Sequence, residues 1–256
     1  MASSLKLGLA LGSRPLEHGA LNLDDERYHA AAPAAPDTVT VAADASYSWG
    51  MLDNDQYGDC VAAAVYHVDE SLFLRRGVAP YPYQAPECLG WYFKINGVAP
   101  GPAGSASDQG TDPAVAMAAW QSEGLPGHKL AGWGVLAGNS RLIRRAIWEF
   151  GACLFCVALP DNWQSQVDAS GAAHWRGAQT PDQQNGHGIC VNGYTPGMFE
   201  LVSWGQPGDL DNDWAASCVE QVFVALSVDA VNSADVGPSG FDLAAMRADL
   251  PSQQGA

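Results

Sequence analysis

The chain has 256 residues, 47% of them hydrophobic and 16% charged, and its formal net charge is −16 with only 12 lysines and arginines. This length supports one large domain or two small ones around a buried core. Nucleic acids and anionic membranes attract basic surfaces, so the charge argues against both as partners. An acidic surface favours solubility and leaves the identity of a partner open.

The N-terminus and the cysteines predict synthesis in the cytoplasm without a signal peptide. MASSLKLGLALGSRPLEHG has one early lysine and a short apolar run interrupted by glycine, which makes a poor secretory signal. No run of about 18 apolar residues is present to span a membrane. The six cysteines are irregularly spaced and imply no disulfide framework, which fits a reducing compartment.

Composition divides the chain into an arm, a domain and a tail. Residues 1–47 include the Ala/Pro-rich AAAPAAPDTVTVAA and hold too few large apolar residues for a core. We expect this arm to lie on its own globule or on neighbouring subunits, which leaves an oligomer open. The domain is expected at 48–228, with a helical half (48–150) and a β half (151–228). Residues 229–256 are expected to form a tail with a short helix in FDLAAMRADL.

Taken in chain order, the elements begin with helices. The pattern predicts a helix from Cys60 to about Arg76, a short one at 88–93, one at 112–123 and one at 140–150. The third of these begins with Asp112 as an N-cap followed by a proline. GHKLAGWGVL, between the third and fourth helices, is typical of a strand.

The later part of the chain predicts β-structure. Strands are expected at 152–159, 187–194, 198–204 and 222–228, with a short helix in WAASCVEQ. Cys153 and Cys156 form a CxxC inside the first of these strands, where they point to opposite faces and belong to the core. Helices followed by antiparallel strands predict an α+β fold.

The WGMLDNDQYGDCVAAAVY stretch places Cys60 at the start of the first helix. A thiol there faces N–H groups without helical partners and the positive end of the helix dipole, which favour the nucleophilic thiolate. A cysteine packed as a small hydrophobe is the commoner alternative. A catalytic base for Cys60 has to come from elsewhere in the fold.

A cysteine at a helix start, the strand HGICVNGY and the following SWG together resemble the papain-like cysteine peptidases. NDQYGDC, DQGTDPAVAMAAW, GHK, LVSWG and SGFDLAAMRADL more closely resemble uncharacterised papain-type proteins of bacteria and their phages. The resemblance implies a papain-like fold without a cofactor. It also implies a nucleophilic Cys60, His187 as its base, and Asn54 or Gln56 as the amide that helps to stabilise the oxyanion.

The resemblance breaks at the residue that orients the histidine. Where the family carries an asparagine two residues before the tryptophan, this chain has Val202, which cannot orient an imidazole. The hairpin is one residue shorter than in the family, so Ser203 is the expected substitute, as a weaker hydrogen-bond partner.

Other polar residues have plainer expected roles. Asp59, next to the cysteine, is expected to cap the helix rather than to raise the pKa of the thiol. His67 is expected to be a packed histidine, and His128 a surface or turn residue. No His/Cys pattern predicts a metal site.

Two functions of different classes compete. The first is a thiol hydrolase, a peptidase or amidase with a protein or peptide substrate, and the retained Cys60, His187 and amide favour it. The second is a structural component of a phage virion that keeps the fold, such as a decoration, head or tail accessory protein. Val202 and the acidic surface favour this second function, in which the partners are neighbouring virion subunits. A non-catalytic binding module is a third alternative.

Overall fold

The computed structural model describes residues 21–22, 34–41, 47–126, 128–136, 140–227 and 242. Within them the chain forms five α-helices, one eight-stranded sheet and a 3-10 helix at Trp163–Gln166. The helices are α1 (Cys60–Arg75), α2 (Ala85–Ile95), α3 (Pro113–Ser122), α4 (Ser140–Phe150) and α5 (Asn212–Cys218). The strands are β1 (Leu21–Asn22), β2 (Leu130–Leu136), β3 (Cys153–Ala158), β4 (His174–Trp175), β5 (Gly186–Thr195), β6 (Met198–Ser203), β7 (Gln206–Asp211) and β8 (Val219–Ser227). No described helix is long and apolar enough to cross a bilayer.

The strands lie in the order β1-β2-β8-β3-β5-β6-β7-β4. Only the two edge pairs, β1 with β2 and β4 with β7, run parallel, and the other neighbours are antiparallel. Since β5 and β6 are antiparallel neighbours, the start of β5 and the end of β6 lie at the same end of the sheet. His187 and Ser203 are therefore brought together by topology.

Each face of the sheet is covered by helices. Leu154 and Cys156 of β3 pack into a core shared with α1, α2 and α3. Cys153, Phe155 and Val157 face the opposite core, which α4 and α5 complete. The prediction that the two cysteines of the CxxC lie on opposite faces is confirmed. All six cysteines are buried, and no disulfide joins residues of the described ranges.

The predicted α+β class is confirmed, and most elements lie within a few residues of their predicted bounds. Asp112 caps α3 as expected, accepting a hydrogen bond of 2.9 Å from the Ala114 N–H. The strand β7 was not predicted, because QPGDLD contains residues that are depleted in strands. The helix expected in FDLAAMRADL lies outside the described residues.

Two described pieces of the predicted arm lie on the chain's own sheet. Leu21–Asn22 extends the sheet as β1. Val39 forms a bridge with Tyr194 through two backbone hydrogen bonds of 2.8 and 2.6 Å. The first of the two expected positions for the arm, its own globule, therefore applies to these pieces. The boundaries of arm, domain and tail stay predictions.

Candidate active site

Cys60 is the first residue of α1, and its side chain is completely buried. Its sulfur accepts a hydrogen bond of 3.3 Å from the backbone N–H of Gly188, the residue after His187. The thiol therefore lies at the positive end of a helix and receives an N–H from β5. Both interactions stabilise negative charge on sulfur.

Gly188 lets α1 approach β5 this closely. A β-carbon at this position would lie 3.1 Å from the Val61 α-carbon and 3.2 Å from the Cys60 carbonyl oxygen. These contacts are to backbone atoms of α1, which cannot move aside as a flexible side chain can. The missing side chain is thus what allows the N–H of Gly188 to reach the sulfur of Cys60.

One ring nitrogen of His187 is in a hydrogen bond, and the other has no hydrogen-bond partner among the described residues. Its Nε2 lies 2.8 Å from the Ser203 Oγ, and its Nδ1 has no hydrogen-bond partner among the described residues. When Nε2 carries the proton and donates it to Ser203, Nδ1 presents a lone pair. Burial lowers the pKa of His187 to about 3, so its neutral, proton-accepting form prevails at neutral pH.

Trp204 holds the imidazole from one side. The rings of Trp204 and His187 are stacked with their centroids 4.3 Å apart. The ring of Trp163 in turn stacks on Trp204, with a centroid distance of 4.8 Å. Trp204 has a φ of 49°, and the Ser203–Gln206 pair closes a two-residue turn around it. A side chain other than glycine is rare in this conformation, so the SWG turn is a strained feature that places an indole on His187.

On the helix side, Asn54 is buried and the Gln56 side chain is exposed. Asn54 Nδ2 donates a 3.0 Å hydrogen bond to Asp59 Oδ1, which places the amide beside the residue that precedes the cysteine. The second N–H of that amide remains for another acceptor. Of the two candidate oxyanion amides, Asn54 therefore has the fixed position.

The expected capping role of Asp59 is wrong. Asp59 occupies the N-cap position, but its side chain accepts no capping hydrogen bond. The carboxyl group turns inward and lies between Asn54 and the Cys88 sulfur, which is 3.8 Å from Oδ2. Burial raises the pKa of Asp59 to about 8, outweighing the opposing effect of the Asn54 hydrogen bond.

Val202 lies away from the position of an orienting residue. It pairs with Cys190 and packs into the core on the α1 side of the sheet. The hydrogen bond to the imidazole comes instead from the next residue, Ser203. The role of Ser203 as the orienting residue stays a prediction, and this geometry supports it.

His67 is a packed histidine, as predicted. Its Nε2 lies 2.9 Å from the Trp49 carbonyl and 3.1 Å from the Gly50 carbonyl, so this nitrogen donates to both. Burial lowers the pKa of His67 to about 4. The bond ties the turn before α1 to the middle of that helix.

His128 closes a turn with Leu125 through two backbone hydrogen bonds, so of the two expected positions, surface or turn, only the turn is right. His128 is buried, with Nδ1 bonded to the Asp69 carboxylate and Nε2 lying 2.6 Å from the Ser227 hydroxyl. Tyr83 donates a 2.5 Å hydrogen bond to the other oxygen of Asp69. This network joins α1 to the end of β8. Its side chains are buried, which suits a structural tie between the two elements.

The described residues contain no group of three or more His, Cys, Asp or Glu side chains that could hold a metal ion. A thiol at a helix start, a histidine with one unbonded nitrogen, a hydroxyl on its other nitrogen and a nearby amide are the kinds of group that thiol-dependent acyl transfer uses.

Comparison with known proteins identifies the fold. No family model matches the sequence, and neither does any curated protein. Solved structures of papain-like cysteine proteases do match. Xylellain from Xylella fastidiosa superposes with a TM-score of 0.59 at 13% identity, over 88% of this chain and 97% of that one.

Two further structures give the same result. Procathepsin B from Trypanosoma congolense has a TM-score of 0.54 at 9% identity, covering 88% of this chain and 87% of that one. A cysteine protease from Carica candamarcensis has a TM-score of 0.50 at 14% identity, over 75% and 98% of the two chains. The chain therefore has the papain-like fold predicted from its sequence.

Proposed function

We propose that the chain is a thiol hydrolase, a peptidase or amidase in which Cys60 is the nucleophile and His187 the general base. The observation that carries this proposal is the hydrogen bond from the Gly188 N–H to a helix-start sulfur, because the residue before Gly188 is a histidine whose Nδ1 has no partner among the described residues. A purely structural cysteine needs neither feature.

The chemistry follows from these positions. Nδ1 of His187 takes the thiol proton while the Cys60 sulfur attacks the acyl carbon of a peptide or amide. The backbone N–H of Cys60 and the free N–H of Asn54 stabilise the resulting oxyanion. The imidazolium then protonates the departing amine, leaving a thioester on Cys60. Water activated by the same imidazole hydrolyses the thioester, which returns the thiol and releases a carboxylic acid.

The site also has to open. Cys60 and His187 are both 0% exposed, so a substrate reaches the sulfur only when covering residues move. The proposed enzyme is therefore one whose activity depends on uncovering the site.

Alkylation of the cysteines tests the proposal. Wild type and His187→Ala are treated with iodoacetamide between pH 5 and 8, and labelling of each cysteine is read by peptide mass spectrometry. We expect Cys60 to react fastest in wild type and to slow at least tenfold in the variant, because the base that takes its proton is gone. The buried Cys153 serves as an internal control and should label slowly in both proteins.

Equal labelling of Cys60 with and without His187, at the rate of an ordinary thiol, would exclude an activated pair. Loss of the fold in the variant is detected separately, because Cys153 would then become reactive as well.

A structural component of a phage particle is the second candidate. Complete burial of both central residues and the valine at the usual orienting position favour it. This function predicts that the protein is found by mass spectrometry in purified phage particles and that Cys60→Ala leaves particle assembly unchanged. Its partners would be neighbouring virion subunits rather than a peptide substrate.

A further inference from the structure

A groove of about 440 Å³ opens on the α1 side of the sheet, away from the cysteine. Its walls include Tyr47 and Trp49 on one side and residues of β5, β6 and β7 on the other, among them Asn192, Glu200 and Val202. A volume of this size is in the range of small-ligand sites.

The groove is separate from the proposed catalytic centre. The Trp49 carbonyl is bonded to His67, and the Tyr47 hydroxyl interacts with Glu70. These partners follow Cys60 by 7 and 10 residues in α1, which corresponds to about 10 and 15 Å along the helix. The groove therefore lies beside the middle of α1, not at its start.

Glu200 supplies an uncompensated carboxylate to this groove. No hydrogen bond or ion pair joins it to a described residue, and burial and the nearby Asp209 raise its pKa. Asp209 differs, because Arg176 Nη2 lies 2.6 Å and His174 Nδ1 2.9 Å from its Oδ1. Glu200 is thus the carboxylate of the groove that has no basic partner among the described residues.

Gly193 fixes where that carboxylate lies. Glu200 is its cross-strand partner, and a β-carbon on Gly193 would clash with Glu200 Oε2. The missing side chain lets the carboxylate lie over the backbone of β5 instead of extending into solvent.

Asn192 adds a polar group that also lacks a partner. It lines the groove and is only 5% exposed. Its Nδ2 donates a 3.1 Å hydrogen bond to Ser71 Oγ, and its amide oxygen accepts no hydrogen bond from the described residues. An amide oxygen that lines the groove without a donor is available to an N–H group of a ligand.

We propose that this groove binds the guanidinium group of an arginine side chain from a partner polypeptide. Glu200 pairs with the planar donor fork, the Asn192 amide oxygen accepts a further N–H, and the rings of Trp49 and Tyr47 line the path of the cation. Arginine suits this set better than lysine because its guanidinium donates in parallel to a carboxylate and stacks on aromatic rings.

Binding of three matched peptides to the full chain tests the assignment. The probes are acetyl-Gly-Arg-Gly-amide, the same peptide with lysine, and the same peptide with citrulline, which keeps the shape of arginine without its charge. Binding is measured by isothermal titration calorimetry in wild type and in Glu200→Gln. The control variant is Glu220→Gln, which makes the same change at an exposed acid on β8.

We expect the arginine peptide to bind at least tenfold more tightly than the citrulline and lysine peptides in wild type and in the control. Glu200→Gln should remove that preference. Equal binding of arginine and citrulline, or a preference that survives Glu200→Gln, would overturn the proposal. Equal binding of lysine would overturn the assignment to arginine.

The same titrations in Cys60→Ala separate binding from hydrolysis. The arginine preference is expected to persist there, because the groove contains none of the proposed catalytic residues. Failure of the labelling experiment at Cys60 would leave this prediction standing.

Discussion

At the scale of single residues, the histidine of the candidate site is held by a hydroxyl where papain-like enzymes use an amide. Ser203 lies 2.8 Å from His187 Nε2, and the stacked Trp204 restricts rotation of the ring. A hydroxyl can accept from Nε2–H and so hold Nδ1 in its proton-accepting form. The valine at position 202 therefore does not leave the imidazole without a hydrogen-bond partner.

Removing this hydroxyl should weaken the base without unfolding the protein. We expect Ser203→Ala to slow alkylation of Cys60 about tenfold at pH 7, the equivalent of one lost hydrogen bond of about 1.4 kcal/mol. Ser203→Thr, which keeps the hydroxyl, should retain most of the rate. Ser122→Ala is the matched control, since Ser122 is exposed and bonded only to the backbone of α3. An unchanged rate in Ser203→Ala would show that the hydroxyl does not orient His187.

The role of Ser203 could be predicted from the sequence, but the hydrogen-bond partners of Asp59 and His128 could not, and the reason is physical. Ser203 could be anticipated because it lies in a motif of adjacent residues. The partners of Asp59 and His128 could not, since Cys88 is 29 residues from Asp59, and Asp69 and Ser227 are 59 and 99 residues from His128. Short polar side chains near a helix start usually cap it, so local reasoning gives a cap where the fold instead buries a carboxyl group.

At the scale of elements, the site depends on how closely α1 packs on β5. Gly188 is the contact point, with the backbone of Val61 and Cys60 at 3.1 and 3.2 Å from where a side chain would begin. The elements themselves were largely predictable from hydrophobic pattern and capping residues. The contacts between the elements could not be predicted, because a glycine inside a strand indicates that another segment approaches closely but does not identify that segment.

A single methyl group at Gly188 should separate the two elements. We expect Gly188→Ala to lower the free energy of unfolding by about 1–3 kcal/mol, the usual cost of overpacking, and to slow Cys60 alkylation because the N–H moves away from the sulfur. Urea unfolding and the labelling assay measure the two effects.

Gly90 provides the control for this substitution. It is exposed in the interior of α2, and a β-carbon there would meet nothing within 4 Å. Gly90→Ala should therefore stabilise the protein by up to about 1 kcal/mol through helix propensity. If both variants changed stability in the same direction, the close contact at Gly188 would not be the cause.

At the scale of the whole molecule, the protein carries a large negative charge and also buries titratable groups around α1 and at the start of β5. Burial raises the pKa of Asp59 and of Glu70 to about 8 and lowers the pKa of His67 and of His187 to about 4 and 3. All four groups are thus neutral in the folded chain near pH 7. At any pH where these groups are ionised in the unfolded chain but neutral in the folded one, they lower the free energy of unfolding.

These shifts predict that stability falls between pH 6.5 and 8. The two carboxyl groups ionise near pH 4 when unfolded but near pH 8 when folded, so in this window the unfolded chain holds fewer protons and a rising pH favours it. The two histidines are neutral in the folded chain but about half protonated near pH 6.5 when unfolded, so they offset part of this loss near pH 6.5 and little of it above about pH 7.5. Each carboxyl should contribute up to about 1.4 kcal/mol per pH unit, less as pH 8 is approached. Urea unfolding at intervals across this range measures the slope.

Two substitutions test whether Asp59 and Glu70 cause this fall in the free energy of unfolding with pH. Asp59→Asn should reduce it by about half, because the amide keeps an acceptor for Asn54 and removes the ionisation. Glu70→Gln should reduce it similarly, and the double variant should no longer lose stability as the pH rises, with a profile that is nearly flat above about pH 7.5. Glu220→Gln, on the exposed surface, should leave the wild-type slope unchanged.

A wild-type free energy of unfolding that stayed constant or rose across this window would mean that the two carboxyl groups are charged inside the fold. Asp59 would then place a negative charge next to the proposed nucleophile and oppose the thiolate on which the proposed chemistry depends.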